Sequence, residues 1–152
     1  MSDQHDQLRP LLSTQRFGVL STRQEDGQPY ASLVAFAATA DLTRLVFATL
    51  RTTRKHANLV ADGRVAFLVD NRENRETDLQ RASALTAIGS SSEVRGAERA
   101  ELSGLLLARH PKMADFLGLP DCAVMRLDVR TYLLVSRFQR VVELRVEDGQ
   151  LR

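Results

Sequence analysis

The segment LVFATLRTTRKHAN, residues 45–58, combines a β-strand, a turn and the beginning of a helix. Leu45–Leu50 is apolar and rich in residues that favour a pleated backbone. Thr52 or Thr53 then offers the hydroxyl that a helix N-cap needs, because it can accept a hydrogen bond from a free backbone N–H. The helix is predicted to end at Asp62-Gly63. We therefore place a strand that leads directly into a short helix at the centre of the fold.

The beginning of this helix is strongly basic. It carries Arg51, Arg54, Lys55 and His56, and the local sequence provides no acid to offset them. Cations at a helix N-terminus are unfavourable by about 0.3–1 kcal/mol each, because the helix dipole is positive there. Hydroxyls, free N–H groups and cations together are suited to bind a phosphate. The pattern leaves two interpretations open: a phosphate site at the end of a strand, or a solvated basic turn with an ordinary threonine cap.

Length and composition are those of a globular protein. The chain has 152 residues, and we expect residues 1–152 to form a single domain. The hydrophobic share of 43% and the charged share of 26% are ordinary values for a folded domain. The net charge is only +2, with acids interleaved among the arginines, which argues against a nucleic-acid-binding protein.

Compartment and cysteine chemistry are bounded by what the sequence lacks. A single cysteine, Cys122, excludes an intramolecular disulfide, and we expect it to be a small buried strand residue. The polar N-terminal segment does not resemble a signal peptide, and no apolar run approaches the roughly 20 residues that cross a bilayer. A cytoplasmic protein is therefore expected.

Further strands flank the central segment on both sides. The predicted strands are Arg16–Arg23, Tyr30–Thr39, Leu45–Leu50, Arg64–Asp70, Ala82–Val94, Cys122–Ser136 and Phe138–Val146. Asp26-Gly27 predicts a hairpin turn between the first two, and Gly89 predicts a bulge or a close backbone approach. Between Asn71 and Arg81 lies a polar loop of the length that is often functional.

Helices are few. Ala97–Arg109 is the clearest one, and a further turn is predicted within Met113–Leu119. Residues 3–15 predict a short or broken helix, because Pro10 fits only the early part of a helix. Six or seven largely consecutive strands with singly inserted helices predict a mainly β (α+β) fold, a closed antiparallel barrel with flanking short helices. Since a small barrel has little interior room, a cofactor would lie on its outside, at a subunit contact.

Spacing alone names no catalytic group. His5, His56 and His110 are far apart, so no metal site is predicted. The serines of the strands lack the G-x-S-x-G context of a hydrolase nucleophile.

Five segments resemble one known family. They are FGVLST (17–22), DGQPYASLVAF (26–36), LVFATLRTTRKHANLVADGRVAFLVDN (45–71), RHPKMADF (109–116) and LLVSRFQ (133–139). Over about residues 14–146 the chain resembles the flavin-binding split-barrel family related to pyridoxamine 5′-phosphate oxidase.

This resemblance implies a six- to seven-stranded split β-barrel that binds FMN as a homodimer, with two flavins at the subunit interface. The residues that match the family's phosphate-binding segment are Thr49, Thr53, Arg54 and Lys55. The residues that match the strand along the flavin ring and ribityl chain are Ser32, Leu33 and Val34. Asn71 and Arg72, after the fourth strand, are further flavin candidates.

The chain also departs from its relatives. It lacks the second-strand arginine and the C-terminal substrate segment of the vitamin-B6 oxidases, which argues against pyridoxamine phosphate as the substrate. It has no histidine after His110, which argues against haem ligation by a C-terminal extension. We expect a flavin-dependent oxidoreductase acting on a small substrate of unknown identity. The alternatives are a haem-binding or haem-degrading relative and a non-catalytic flavin-binding stress-response module. FMN and a deazaflavin are not distinguished by the sequence.

Overall fold

The computed structural model describes residues 2–137 and 139–152, and the side chains of residues 5–137 and 139–152. The described elements are α1 (Ser2–Thr14), β1 (Phe17–Arg23), β2 (Pro29–Ala38), β3 (Arg44–Leu50), α2 (Arg54–Ala61), β4 (Arg64–Asp70), α3 (Asp78–Arg81), β5 (Ala84–Glu93), α4 (Gly96–Arg109), a 3₁₀ turn (Pro111–Met113), α5 (Ala114–Leu117), β6 (Cys122–Ser136), β7 (Arg140–Glu147) and β8 (Gln150–Leu151). The predicted beginning of the last long strand at Phe138 lies outside the described residues.

Six of these strands close an antiparallel barrel. The order is β3-β2-β1-β4-β5-β6, and an additional pairing of β3 with β6 completes the ring. β7 and β8 extend the sheet beyond β6. The predicted split-barrel fold is confirmed, with short helices packed around the strands. No helix in residues 2–137 and 139–152 has the length and apolar character needed to cross a membrane.

Gly89 marks the irregularity that lets β5 follow the curve of the barrel. The register between β5 and β6 shifts between Ile88 and Gly89, which confirms the predicted bulge. A Cβ at this position would collide with the backbone carbonyl oxygen of Asp128. Only glycine therefore permits the close approach of the two strands here.

The barrel interior is filled by alternate residues of the strands. Phe36, Phe47, Phe67 and Tyr132 are its largest fully buried side chains. The ring of Phe36 meets that of Phe67 edge to face at a centroid distance of 5.1 Å. Interdigitated aromatic rings leave no ligand cavity inside so small a barrel, because they take up the interior volume.

Helix α1 closes one end of the barrel, and it is longer than the sequence predicted. The helix runs through Pro10 to Thr14, so the expectation of a short or broken helix is wrong. Its Leu8, Leu11 and Leu12 are buried in the core. This burial offsets the backbone hydrogen bond that Pro10 cannot donate.

Helix α4 packs on the outside of the barrel. Its Leu102 and Leu106 join a second apolar cluster with Val46 and Val124, whose side chains point outward from β3 and β6. Cys122 belongs to the same cluster and is buried, as predicted, and burial raises the pKa of its thiol. The cluster fixes α4, and the turns that follow it, beside the outer surface of β2 and β3.

Candidate functional site

The barrel wall opens between β2 and β3. These strands pair only from Phe36 to Ala38 and from Leu45 to Phe47. Before Phe36, β2 pairs with β1, and after Phe47, β3 continues along β6. The strands therefore separate, and a groove of about 780 Å³ lies against their outer faces. This volume is typical of a cofactor pocket.

Apolar side chains form most of the groove. Phe17 and Leu33 line it from the sheet, and Met113 and Phe116 line it from the turns after α4. Phe17 is 54% exposed and Leu33 is 66% exposed, so both present large apolar surfaces outward. Such walls suit a flat apolar ring system.

The charge of the groove is of one sign. Among the described residues that line it, the charged side chains are Arg16, Lys55 and Lys112, and none is a carboxylate. An apolar groove with cations at its margin is suited to a ligand that combines rings with an anionic group.

Helix α2 begins beside this groove, and two contacts fix its position. Leu59 packs into the barrel core, and the Asn58 amide Nδ2 donates to Thr22 Oγ1 at 3.0 Å in a buried bond. Thr53 is the N-cap, as predicted, since its hydroxyl oxygen accepts from the His56 backbone N–H at 3.3 Å. The direction of α2 is therefore set by the barrel rather than by its own propensity.

The two threonines are engaged with their own backbone and with each other. Their hydroxyl oxygens lie 2.8 Å apart, and the Thr53 hydroxyl donates to the Leu50 carbonyl at 2.9 Å. Thr49 is only 1% exposed. In this arrangement Thr49 and Thr53 hold the strand end and the helix start together, beneath the surface that a phosphate would contact.

One acid reaches the basic turn from a distant strand. Arg51 Nη2 pairs with Glu93 Oε2 at 2.6 Å, and His56 Nε2 lies 3.9 Å from the other carboxylate oxygen. The bond from Arg51 is the main cause of a lowered Glu93 pKa. The expectation that no acid offsets this turn is therefore wrong for Arg51 and His56, because Glu93 is local only in the folded chain.

Arg54 and Lys55 remain without a carboxylate partner among the described residues. The Arg54 guanidinium lies 5.8 Å from the centroid of the Tyr30 ring, on β2. Lys55 is half-buried and lines the groove. The cationic end of the groove therefore consists of the two residues of the turn that the fold leaves unneutralised.

The predicted second-strand residues lie along the same opening. Leu33 points outward into the groove, whereas Val34 points into the core and contributes to the groove beside it. The Ser32 Oγ is buried and has no hydrogen-bond partner among the described residues. A buried hydroxyl without a partner is unusual and indicates a missing polar neighbour.

Asn71 and Arg72 lie outside this groove. The Asn71 side-chain oxygen accepts from the Ser83 backbone N–H at 2.7 Å, and Arg72 pairs with Asp70 at 3.1 Å. Both follow β4, which is separated from β2 by β1. The fold thus brings Ser32–Val34 and Thr49–Lys55 together and leaves Asn71 and Arg72 elsewhere on the same chain.

His110 is a groove residue that sequence reasoning treated only as the end of a helix. It caps α4, is 9% exposed, and its Nε2 lies 2.8 Å from the Phe36 carbonyl oxygen. A carbonyl only accepts, so Nε2 carries the proton. No described residue hydrogen-bonds Nδ1, which is thus available to a ligand in the groove. The His-Pro pair directly after a periodic helix was the signal in the sequence.

The family follows from a match that spans most of the chain. Residues 4–136 match the family model described as pyridoxamine 5′-phosphate oxidase. The chain belongs to the pyridoxamine 5′-phosphate oxidase family. A comparison with curated proteins finds no match.

Several solved structures share this family's fold. The heme binding protein from Mycobacterium smegmatis is 20% identical with a TM-score of 0.81, over 90% of this chain and 55% of that one. The heme storage protein HutZ from Vibrio cholerae is 18% identical with a TM-score of 0.72, over 82% and 89%. An FAD-binding protein from Mesorhizobium loti is 17% identical with a TM-score of 0.65, over 84% and 91%. This chain spans only about half of the mycobacterial protein, and at these identities the likeness concerns the fold.

Proposed function

We propose that the chain binds FMN in the groove between β2 and β3 and acts as a flavin-dependent oxidoreductase on a small substrate. The observation that carries this proposal is the pair of unneutralised cations, Arg54 and Lys55, at one end of an otherwise apolar groove. An FMN phosphate carries nearly two negative charges, which such cations bind well.

The residues present fit the cofactor. Leu33 and Phe17 supply apolar surface for a flat ring, and the unpartnered Ser32 hydroxyl is a group that a bound polar chain would satisfy. Thr49 and Thr53 hold the helix start in place from below. A bound flavin would supply hydride or single-electron chemistry, while the chain provides the binding surface and excludes water from one side.

We further propose that the chain works as a homodimer. Phe17 on β1, Leu33 on β2 and Leu68 on β4 are exposed apolar residues of adjacent strands, and Leu33 and Leu68 both pair with Val19. A continuous apolar face on the outside of a barrel is suited to an isologous contact with a second copy. The groove lies at the margin of this face, so the contact would cover its open side.

Haem is the second candidate. It is favoured by His110, whose Nδ1 is available in the groove, and by the haem-binding proteins among the structural neighbours. The cations would then pair with propionates instead of a phosphate.

The absorption spectrum of the purified protein separates these functions. Flavin bands that leave with a released cofactor support FMN, and a Soret band supports haem. For the flavin form, reduction by a nicotinamide donor followed by reoxidation supports an enzyme, whereas a bound flavin that no donor reduces supports a non-catalytic module. Neither chromophore, with no gain of affinity for FMN over riboflavin, would contradict the proposal.

A further inference from the structure

A second cavity of about 500 Å³ lies away from the groove, between α1, the end of β4, α3 and the turn from β6 to β7. Three of its lining residues are arginines that come from two separate segments: Arg81 at the end of α3, and Arg137 and Arg140 around the β6–β7 turn. No described residue that lines it is a carboxylate. The cavity shares no lining residue with the groove.

These three arginines differ from most others in the chain. Arginines elsewhere pair with a carboxylate, as Arg64 does with Asp62, or donate to backbone carbonyls, as Arg109 does to Leu12 and Gln15. Arg81, Arg137 and Arg140 have neither kind of partner among the described residues. The fold therefore gathers unneutralised guanidinium groups around one concave surface, against their mutual repulsion.

The rest of the lining also favours an anion. The Asn71 side-chain oxygen is already occupied by the Ser83 backbone N–H, which leaves its amide N–H groups as donors. Ser136 and Gln80 add further polar groups. Leu11 and Leu134 form an apolar part of the wall. The donors suit a negatively charged group, and the apolar wall suits an attached organic moiety.

We propose that this cavity binds a small phosphorylated organic molecule, at a site separate from the flavin groove. Phosphate is favoured over carboxylate because three guanidinium forks offer more donors than two carboxylate oxygens can accept, whereas a phosphate monoester presents three acceptor oxygens. The cavity volume lies within the range of small-molecule sites. The proposal does not depend on the identity of the ligand in the groove.

The test is isothermal titration of the FMN-saturated protein with ribose 5-phosphate, inorganic phosphate and ribose, at low salt. FMN saturation keeps the groove occupied, so the probes report on other sites. We expect saturable binding of ribose 5-phosphate and no binding of ribose. Inorganic phosphate that binds as tightly as ribose 5-phosphate would still support a phosphate site, with free phosphate as its ligand.

Variants locate the binding. Replacing Arg137→Ala together with Arg140→Ala is expected to weaken ribose 5-phosphate binding at least tenfold. Arg130→Ala is the matched control, because Arg130 is exposed on β6 and also has no partner among the described residues. It should leave the affinity unchanged. If the double variant does not fold, Arg81→Gln tests the same cavity from the other segment.

Three outcomes would overturn the site. They are no saturable binding of either phosphate probe, an equal loss of affinity in Arg130→Ala, and a loss of probe binding in the groove variant Arg54→Ala with Lys55→Ala when that variant is tested without FMN. The last outcome would mean that the probes occupy the groove. Failure of the flavin proposal is read separately, from the FMN titration alone.

Discussion

The groove cations provide the sharpest test of the flavin proposal. In the double variant Arg54→Ala with Lys55→Ala, both cations without a described acid partner are removed, and the threonine network beneath them is left intact. The N-cap bond from the His56 N–H to Thr53 does not involve either side chain, so we expect the barrel and α2 to fold normally. The change is therefore directed at the phosphate rather than at the fold.

The magnitude follows from exposure. A charge-assisted hydrogen bond contributes about 1.5–3 kcal/mol. Arg54 is exposed and Lys55 is half-buried, so we take about 1 kcal/mol for the former and about 2 kcal/mol for the latter, because solvent screens the exposed charge. The sum of about 3 kcal/mol corresponds to a roughly 100-fold weaker binding of FMN.

The assay is a fluorescence titration of FMN and riboflavin in parallel. Riboflavin has the same ring and ribityl chain but no phosphate, so its Kd should change by less than about threefold. As a matched control, Arg51→Ala with Glu93→Gln removes the neighbouring ion pair without changing the net charge. That control should bind FMN with an affinity within a few-fold of the wild type.

Two results would refute the reasoning. One is an FMN affinity that falls less than about fivefold in the Arg54/Lys55 variant, since the cations would then contribute under about 1 kcal/mol. The other is an equal loss for riboflavin, which would place the effect on the ring or on the fold. Circular dichroism and thermal unfolding of each variant separate these cases from loss of structure.

Three further predictions concern the bulge, the outer face and the acid response. Gly89→Ala should destabilise the barrel by about 3 kcal/mol and lower Tm by roughly 6–12 °C, because the new methyl group meets the Asp128 carbonyl; an unchanged Tm in a thermal melt would contradict this. Leu68→Asp should shift the sedimentation coefficient from dimer to monomer, whereas Val141→Asp, equally exposed on β7, should not; a wild type that sediments as a monomer with flavin bound would exclude the proposed contact. Because Arg51 lowers the Glu93 pKa below its ordinary 4.5, the ionised carboxylate stabilises the fold above that pH and this contribution is lost as the pH falls through the lowered pKa; Glu93→Gln should therefore be less stable than wild type at pH 7, and the difference in unfolding free energy from denaturant titrations should narrow below pH 4.5.

The sequence determined where most elements begin and end. β4 at Arg64–Asp70 and β6 at Cys122–Ser136 have the predicted bounds, and Thr53 caps α2 as expected. These features depend on neighbours a few residues apart: side-chain alternation in a strand, a hydroxyl three residues from a free N–H, and the turn propensity of Asp-Gly. Local sequence therefore contains the information that they need.

The tertiary structure decided which of the candidate residues meet. Arg51 is neutralised by Glu93, from a strand beyond α2 and β4, and His110 reaches the Phe36 carbonyl across 74 residues. The same fold keeps Asn71 out of the groove. Barrel closure by β3 and β6 sets these distances, since it joins strands that are far apart along the chain. Strand patterns give each strand's two faces but not its neighbours, so the opening between β2 and β3, and the charges left free there, appear only once the barrel has closed.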